Sequence, residues 1–342
     1  MAINRNQVLS FFQWVRENLS LLIVSALVLG AVKGYFYPME FSRVICGAAM
    51  FFMVYPIMIN LKIEDSFKEF KNFSKVLWVS FLVNFLISPI IAIGIILLFL
   101  QQNVYLAIGL LLIGSIPTSG LTLNWIHQFK GNMKMGILLV SFNIITAFLL
   151  VPIFVPILSN FILKSDFTIN SWVIIEKIFF IIVVPMILAY LTRLYFRKTN
   201  NTEFLQNNKE IFSGISNLGL MLVMFLLMSL ENSQYVFQNV LNTLIVIPAI
   251  FLYYIAMFFV FVFGIKRFLK DDEVIPLFLS TFLRYHIISL GIAISAFGET
   301  QEGILVMVPI ILGILIQPTV VSLLGKKYVL VPKTQSLFPS KV

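Results

Sequence analysis

"IVIPAIFLYYIAMFFVFVFGI", residues 245–265, settles the fold class: 21 positions without a charged residue, apolar on every side. A helix rises about 1.5 Å per residue, so roughly 20 such residues cross the ~30 Å of hydrocarbon in a bilayer. A membrane-spanning β-strand would instead alternate polar and apolar positions over about ten residues. Neither this stretch nor "IIAIGIILLFL" at 90–100 alternates in that way. Both read as membrane-spanning helices.

The rest of the chain reads alike. Of 342 residues 60% are hydrophobic and 11% charged, whereas a soluble domain has about 25% charged residues; the mean hydropathy is +0.99. The 35 Phe are spread along the whole length, which points to many spans and not to one anchor. Ten spans are predicted, at 18–36, 41–61, 76–100, 104–128, 133–160, 171–192, 211–231, 239–265, 274–298 and 303–325. The polar opening "MAINRNQVLSFFQWVRE" has no small-residue cleavage site, so the first span reads as a retained helix. A single cysteine, Cys46, excludes a disulfide framework and a multi-cysteine metal site. No metal or cofactor is expected.

Charge gives the orientation. Of 24 Lys and Arg, 19 fall on the side of the N-terminus and four (Lys33, Arg43, Lys164 and Lys177) on the other, while Arg284 lies inside a span. By the positive-inside rule this is a multi-pass protein of the cell membrane with both termini cytoplasmic. The net charge of +9 is explained by this sidedness and implies no nucleic-acid partner. The loop 61–75 reads as a solvated linker and the tail "VLVPKTQSLFPSKV" as disordered.

Ten spans divide into five plus five, and an odd number of crossings makes the second half enter from the opposite side. The expected fold is therefore an all-α integral membrane protein with two inverted five-helix repeats, at 18–160 and 171–325. A polar loop at 161–170 joins them, flanked by a cytoplasmic segment at 1–17 and a tail at 326–342. Inverted halves are a common plan of secondary transporters, whose sites lie near mid-membrane on interrupted helices. The fourth helix of the first half, "LLLIGSIPTSGLTLNWIHQFKGN" at 110–132, has Pro117, Thr118, Ser119, Gly120 and Thr122 at its centre. That composition fits a broken helix offering polar groups at depth, or a proline kink whose hydroxyls bond their own helix. Its counterpart, "FLSTFLRYHIISLGIAISAFG" at 278–298, carries Arg284 and His286.

The run "MFFMVYPIMINLKIEDSFKEFKN" at 50–72 with Tyr55 and Pro56, and the ending "NWIHQFKGN" at 124–132 with Trp125, Lys130 and Gly131, are similar to the arsenical-resistance permeases. These form a branch of the bile acid:sodium symporter superfamily. The resemblance covers about residues 18 to 326 and implies that the fourth and ninth helices are discontinuous and cross at the substrate site. The departures matter equally. The cysteine of the arsenite permeases falls on Thr118, a hard neutral oxygen where a soft thiolate would hold arsenic. The glutamate of the ninth helix falls on Ile287 and its asparagine on Arg284. All 15 acidic residues lie toward span ends or in loops, so no carboxylate is left at mid-depth to ligate sodium.

An intramembrane charge costs at least about 2.5–3.5 kcal/mol at a helix centre. Arg284 therefore either serves as a fixed cation that favours an anion, or snorkels, or pairs with carbonyls opened by a break. His286 is a proton-coupling candidate, with a neutral hydrogen-bonded histidine as the other reading. Thr118, Ser119, Thr122, Asn143, Arg284, Tyr285, Ser289 and Gln317 are the expected substrate-binding residues. No phosphate-binding glycine loop is present, and no nucleophile with base and orienting acid, so neither an ATP-driven pump nor an enzyme is expected. A channel would need polar rings or oligomeric symmetry, on which the sequence is silent. The reading favoured is a secondary-active permease moving a small anion by alternating access without sodium coupling. The family-based alternatives are arsenite or antimonite efflux and sodium-coupled organic anion symport.

Overall fold

The computed structural model describes residues 5–40, 43–60, 73–118, 122–162, 172, 175–176, 179–230, 236, 243–298, 300 and 302–324. The tail, Ser119, and most of the loops expected at 61–75 and 161–170 lie outside them. Among the described residues the chain is helical, with one isolated bridge between Met39 and Leu230 and no strand. Within the described residues six helices are long and apolar enough to cross a membrane, or seven if the bent pair Gln7–Glu17 and Leu21–Phe36 is one span: Ser74–Leu100, Met133–Leu158, Lys209–Ser229, Val246–Phe268, Asp271–Phe297 and Glu302–Leu324. Shorter apolar helices run over Ile45–Ile59 and Val104–Ser115.

The helices are α1 (Arg5–Glu17), α2 (Leu19–Phe36), α3 (Arg43–Ile59), α4 (Ser74–Leu100), α5 (Val104–Ser115), α6 (Thr122–Gln128) and α7 (Met133–Ile162). They continue as α8 (Val184–Lys198), α9 (Thr202–Asn207), α10 (Lys209–Ser229), α11 (Val246–Phe268), α12 (Asp271–Phe282), α13 (His286–Phe297) and α14 (Met307–Leu324). The polar opening segment is helical as α1, and α8 runs to Lys198, six residues past the expected end of its span at 192.

Chain contacts gather into two compact units, each assembled from both sequence halves: Met1–Leu61 with Asn170–Asn242 and Leu290–Met307, and Lys62–Ile169 with Thr243–Ser289 and Val308–Val342. In the first, α10 packs against α2 and α3. Small residues set this approach, because helices in lipid associate by close van der Waals fit and not by hydrophobic exclusion. A Cβ on Gly30 would lie 2.4 Å from the Phe225 carbonyl oxygen, one on Gly34 2.5 Å from that of Met228, and one on Gly219 2.7 Å from the Met53 nitrogen. Ser229 Oγ also donates to the Gly30 carbonyl at 3.3 Å, and Ser216 Oγ to that of Met53. At the end of this unit Arg16 Nη1 contacts both Glu210 carboxylate oxygens at 2.8 Å.

The second unit contains α4 to α7, α11, α12, the first turn of α13 and nearly all of α14. Proline shapes α4. Pro89 has no N–H for the carbonyl four residues back, and the helix opens into a wide i→i+5 turn over Val83–Ile87 just before it. The stretch quoted first forms most of α11 and divides by face. Phe251, Ile255, Phe259 and Phe263, four residues apart, are exposed, as suits lipid contact; Tyr253, Tyr254, Met257 and Phe261 are buried.

Candidate functional site

Two predicted spans are broken. In the first, α5 ends at Ser115 and α6 starts at Thr122. Ile116 is extended, with φ −100° and ψ 112°, the conformation that a following proline imposes. In the second, α12 ends at Phe282, Leu283 is extended (φ −75°, ψ 125°), and α13 starts at His286. No proline stands at this second break.

Side chains hold it open. A helix continued through 283–285 would bond its own backbone; here other groups take over. The Arg284 N–H donates to Gln317 Oε1 at 2.7 Å, and Gln317 Nε2 faces the Arg284 carbonyl at 3.4 Å. The Thr281 carbonyl accepts from Arg284 Nη2 at 2.6 Å. The Tyr285 carbonyl keeps an ordinary helical bond from the Ser289 N–H at 3.1 Å and also accepts from Ser289 Oγ at 3.2 Å.

Arg284 does not snorkel. It is 2% exposed, and the most apolar window of the broken helix pair is 100% buried, against 44–56% for the other five spanning helices. Its Nη1 donates to Asn84 Oδ1 at 3.1 Å, Nη2 lies 4.0 Å from Met257 Sδ, and the guanidinium carbon stands 5.9 Å from the centroid of the Tyr253 ring. Asn84 is itself held by Ser80 Oγ and the Ser280 carbonyl, and Asn143 Nδ2 donates to the same Ser80 Oγ at 2.9 Å. All of these partners are neutral. Among the described residues no carboxylate lies within ion-pair distance of Arg284, and Arg284 Nε has no hydrogen-bond partner. A positive charge buried this way is stabilised by dipoles and left uncompensated.

Each residue singled out in the sequence can now be placed. Thr118 and Thr122 are buried and bond each other, Oγ1 to Oγ1, at 2.5 Å. Ser119 lies outside the described residues. Asn143 is a second neighbour of Arg284, through Ser80 and Asn84, and Gln317 bonds its main chain. Tyr285 is buried with its hydroxyl unpartnered. Ser289 bonds back to its own helix. His286 Nε2 lies 3.1 Å from the Tyr254 hydroxyl and 3.2 Å from Gln317 Oε1, while its Nδ1 has no partner. His286 and Arg284 are thus linked through Gln317. His127 is exposed at the end of α6.

The sequence reading did not single out Tyr253, Tyr254, Ser80, Thr281 or Asn84. Ser88 Oγ ties α11 to the first break: it lies 2.7 Å from the Tyr253 hydroxyl and donates to the carbonyl of Gly114, next to that break. The usable signal was the pair of phenols on one face of an otherwise wholly apolar run, since a buried Tyr hydroxyl seeks a polar partner.

Residues 48–239 match the Sodium Bile acid symporter family. This stretch includes the first break and stops short of Arg284. Over most of its length the chain is similar to the arsenical-resistance protein Acr3 of Alkaliphilus metalliredigens (strain QYMF). The two are 22% identical over 341 residues, covering 91% of this chain and 93% of that protein. It is similar also to the arsenical-resistance protein Acr3 of Corynebacterium glutamicum, 21% identical over 280 residues, covering 77% of this chain and 74% of that one. With its apolar helices and this match, the chain is a multi-pass membrane transporter and belongs to the Sodium Bile acid symporter family.

Proposed function

We propose that the protein is a secondary carrier that moves a small anion across the cell membrane by alternating access, without sodium coupling. The observation that carries this reading is the Arg284 guanidinium, buried among neutral partners with its Nε unbonded. A guanidinium has five N–H donors. Asn84 Oδ1 and the Thr281 carbonyl take two of them and bring no negative charge, so an anion reaching the break would find both charge and donors. Arg284 and Tyr285 are the direct ligands in this scheme. Gln317, Ser289 and, through Ser80 and Asn84, Asn143 fix the break's geometry, and Thr118 and Thr122 shape the other. His286 is the candidate for a coupled proton.

The wider arrangement belongs to the same proposal: two inverted five-helix repeats, fourth and ninth helices crossing at mid-membrane, both termini cytoplasmic. The sidedness of Lys and Arg supports it. A second reading, metalloid efflux, is favoured by the similarity to arsenical-resistance proteins over 91% of the chain; Thr118 in place of a thiolate weighs against it.

The test is uptake into liposomes holding the purified protein. Saturable anion uptake with counter-flow, equal in sodium and choline buffers, is expected. Steep sodium dependence would overturn the uncoupled carrier, and flux without saturation would indicate a channel.

A further inference from the structure

Among the described residues of the second unit, four buried side-chain atoms have no hydrogen-bond partner: Ser115 Oγ, Arg284 Nε, Tyr285 Oη and His286 Nδ1. All four stand at the helix breaks. Ser115 closes α5, and the other three are consecutive: Arg284 and Tyr285 in the second break and His286 as the first residue of α13. Within the described residues of this unit the unmet buried polar groups are confined to these two points, and such groups are open to a ligand.

Their bonding capacities differ. Arg284 Nε only donates, and the two hydroxyls donate or accept. His286 Nδ1 is decided by the opposite side of its ring. A backbone N–H can only donate, so the Gln317 atom 2.7 Å from the Arg284 nitrogen is the carbonyl oxygen. That oxygen has only lone pairs to offer, and it stands 3.2 Å from His286 Nε2 and 2.9 Å from the Tyr254 hydroxyl. Tyr254 donates to it and accepts from Nε2 at 3.1 Å, so the imidazole proton sits on Nε2. Nδ1 is then a bare acceptor. Gly313 packs close against this ring: a Cβ there would stand 2.7 Å from Cε1, 3.2 Å from Nδ1 and 3.3 Å from Nε2, so a larger residue at 313 would displace the imidazole.

From this we infer that the site takes a hydroxyl-bearing oxyanion, whose anionic oxygen faces Arg284 and whose O–H donates to His286 Nδ1. An ammonium donor would be repelled by the uncompensated guanidinium, so the donor is a neutral hydroxyl. The inference rests on the anion-carrier reading and narrows it to one substrate class, from hydroxycarboxylates to incompletely deprotonated inorganic oxyanions.

Paired probes test it on the full-length protein in sodium-free buffer at mildly alkaline pH. Hydrogen phosphate and sulfate share charge and tetrahedral shape and differ by one hydroxyl; lactate and propionate differ in the same way. In at least one pair the hydroxyl-bearing member should bind about tenfold tighter or more. His286→Gln keeps an N–H near the Nε2 position and removes the acceptor, so it should bring the tighter member down to its partner's affinity. His286→Asn, which places a carbonyl oxygen near Nδ1, should keep the preference. Equal affinity within both pairs would overturn the inference and leave the anion carrier standing. A preference that survives in folded His286→Gln would overturn the role of Nδ1. No binding of any of the four would overturn the inference, and a wider panel of anions without hydroxyls would then decide the carrier itself.

Discussion

Gln317 holds the main chain of Arg284 from both sides, its Oε1 on the N–H at 2.7 Å and its Nε2 toward the carbonyl at 3.4 Å. One side-chain amide thereby stands in for the helical bonds lost at the second break. Gln317→Leu should destabilise the protein by about 2–3 kcal/mol, because it orphans buried backbone groups. Gln317→Glu keeps the acceptor and adds a negative charge close to Arg284. It should be milder in thermal denaturation yet weaken anion binding, and equal anion affinity in the two proteins would show that charge near Arg284 does not matter.

The residues themselves pointed to the first break, as one of two readings, whereas the second was expected only from the family resemblance, for a physical reason. Pro117 acts on its immediate neighbour, so a local reading finds it. The second break has no local cause. It is held by Gln317 and Asn84, 33 and 200 positions from Arg284, and no window of sequence contains such partners. Arg284 itself was conspicuous because a charge in an apolar span is rare. Its coordination was hidden, since Tyr253 and Tyr254 look like packing aromatics until the fold turns them inward. The spans were readable as apolar runs, and the grouping of helices from both halves into each compact unit was not, because it depends on which faces meet.

Packing in the first unit gives a prediction independent of function. Gly30→Ala places a Cβ against the Phe225 carbonyl and should cost about 1–3 kcal/mol in thermal stability. Gly47→Ala and Gly94→Ala are the controls, with nothing within 4 Å of the new Cβ. They should be neutral or slightly stabilising. If all three variants melt alike, the close approach of α2 to α10 is wrong.

Metalloid chemistry is the next test. The Thr118 hydroxyl already bonds Thr122, and the single cysteine, Cys46, belongs to α3 in the other unit. Expression in an arsenite-sensitive bacterium should give little resistance, measured as growth against arsenite concentration. Thr118→Cys should restore little, because Ile287 is also apolar where the resembling permeases have an acid. Strong resistance from the unaltered chain would favour the metalloid reading over the anion carrier.

The central claim is that the buried guanidinium binds substrate, and the most direct measurement is anion-dependent thermal stabilisation of the wild type, Arg284→Gln and Arg284→Lys in sodium-free buffer. At least one small anion should raise the wild-type melting temperature saturably. Arg284→Gln should fold with a lower melting temperature, having lost the contacts to Asn84 and Thr281, and show no shift with that anion. Arg284→Lys should bind about tenfold more weakly or worse, since a point charge replaces a planar fork. If Arg284→Gln keeps wild-type affinity for the anion, the guanidinium is a plug for the Thr281 carbonyl and the anion site lies elsewhere.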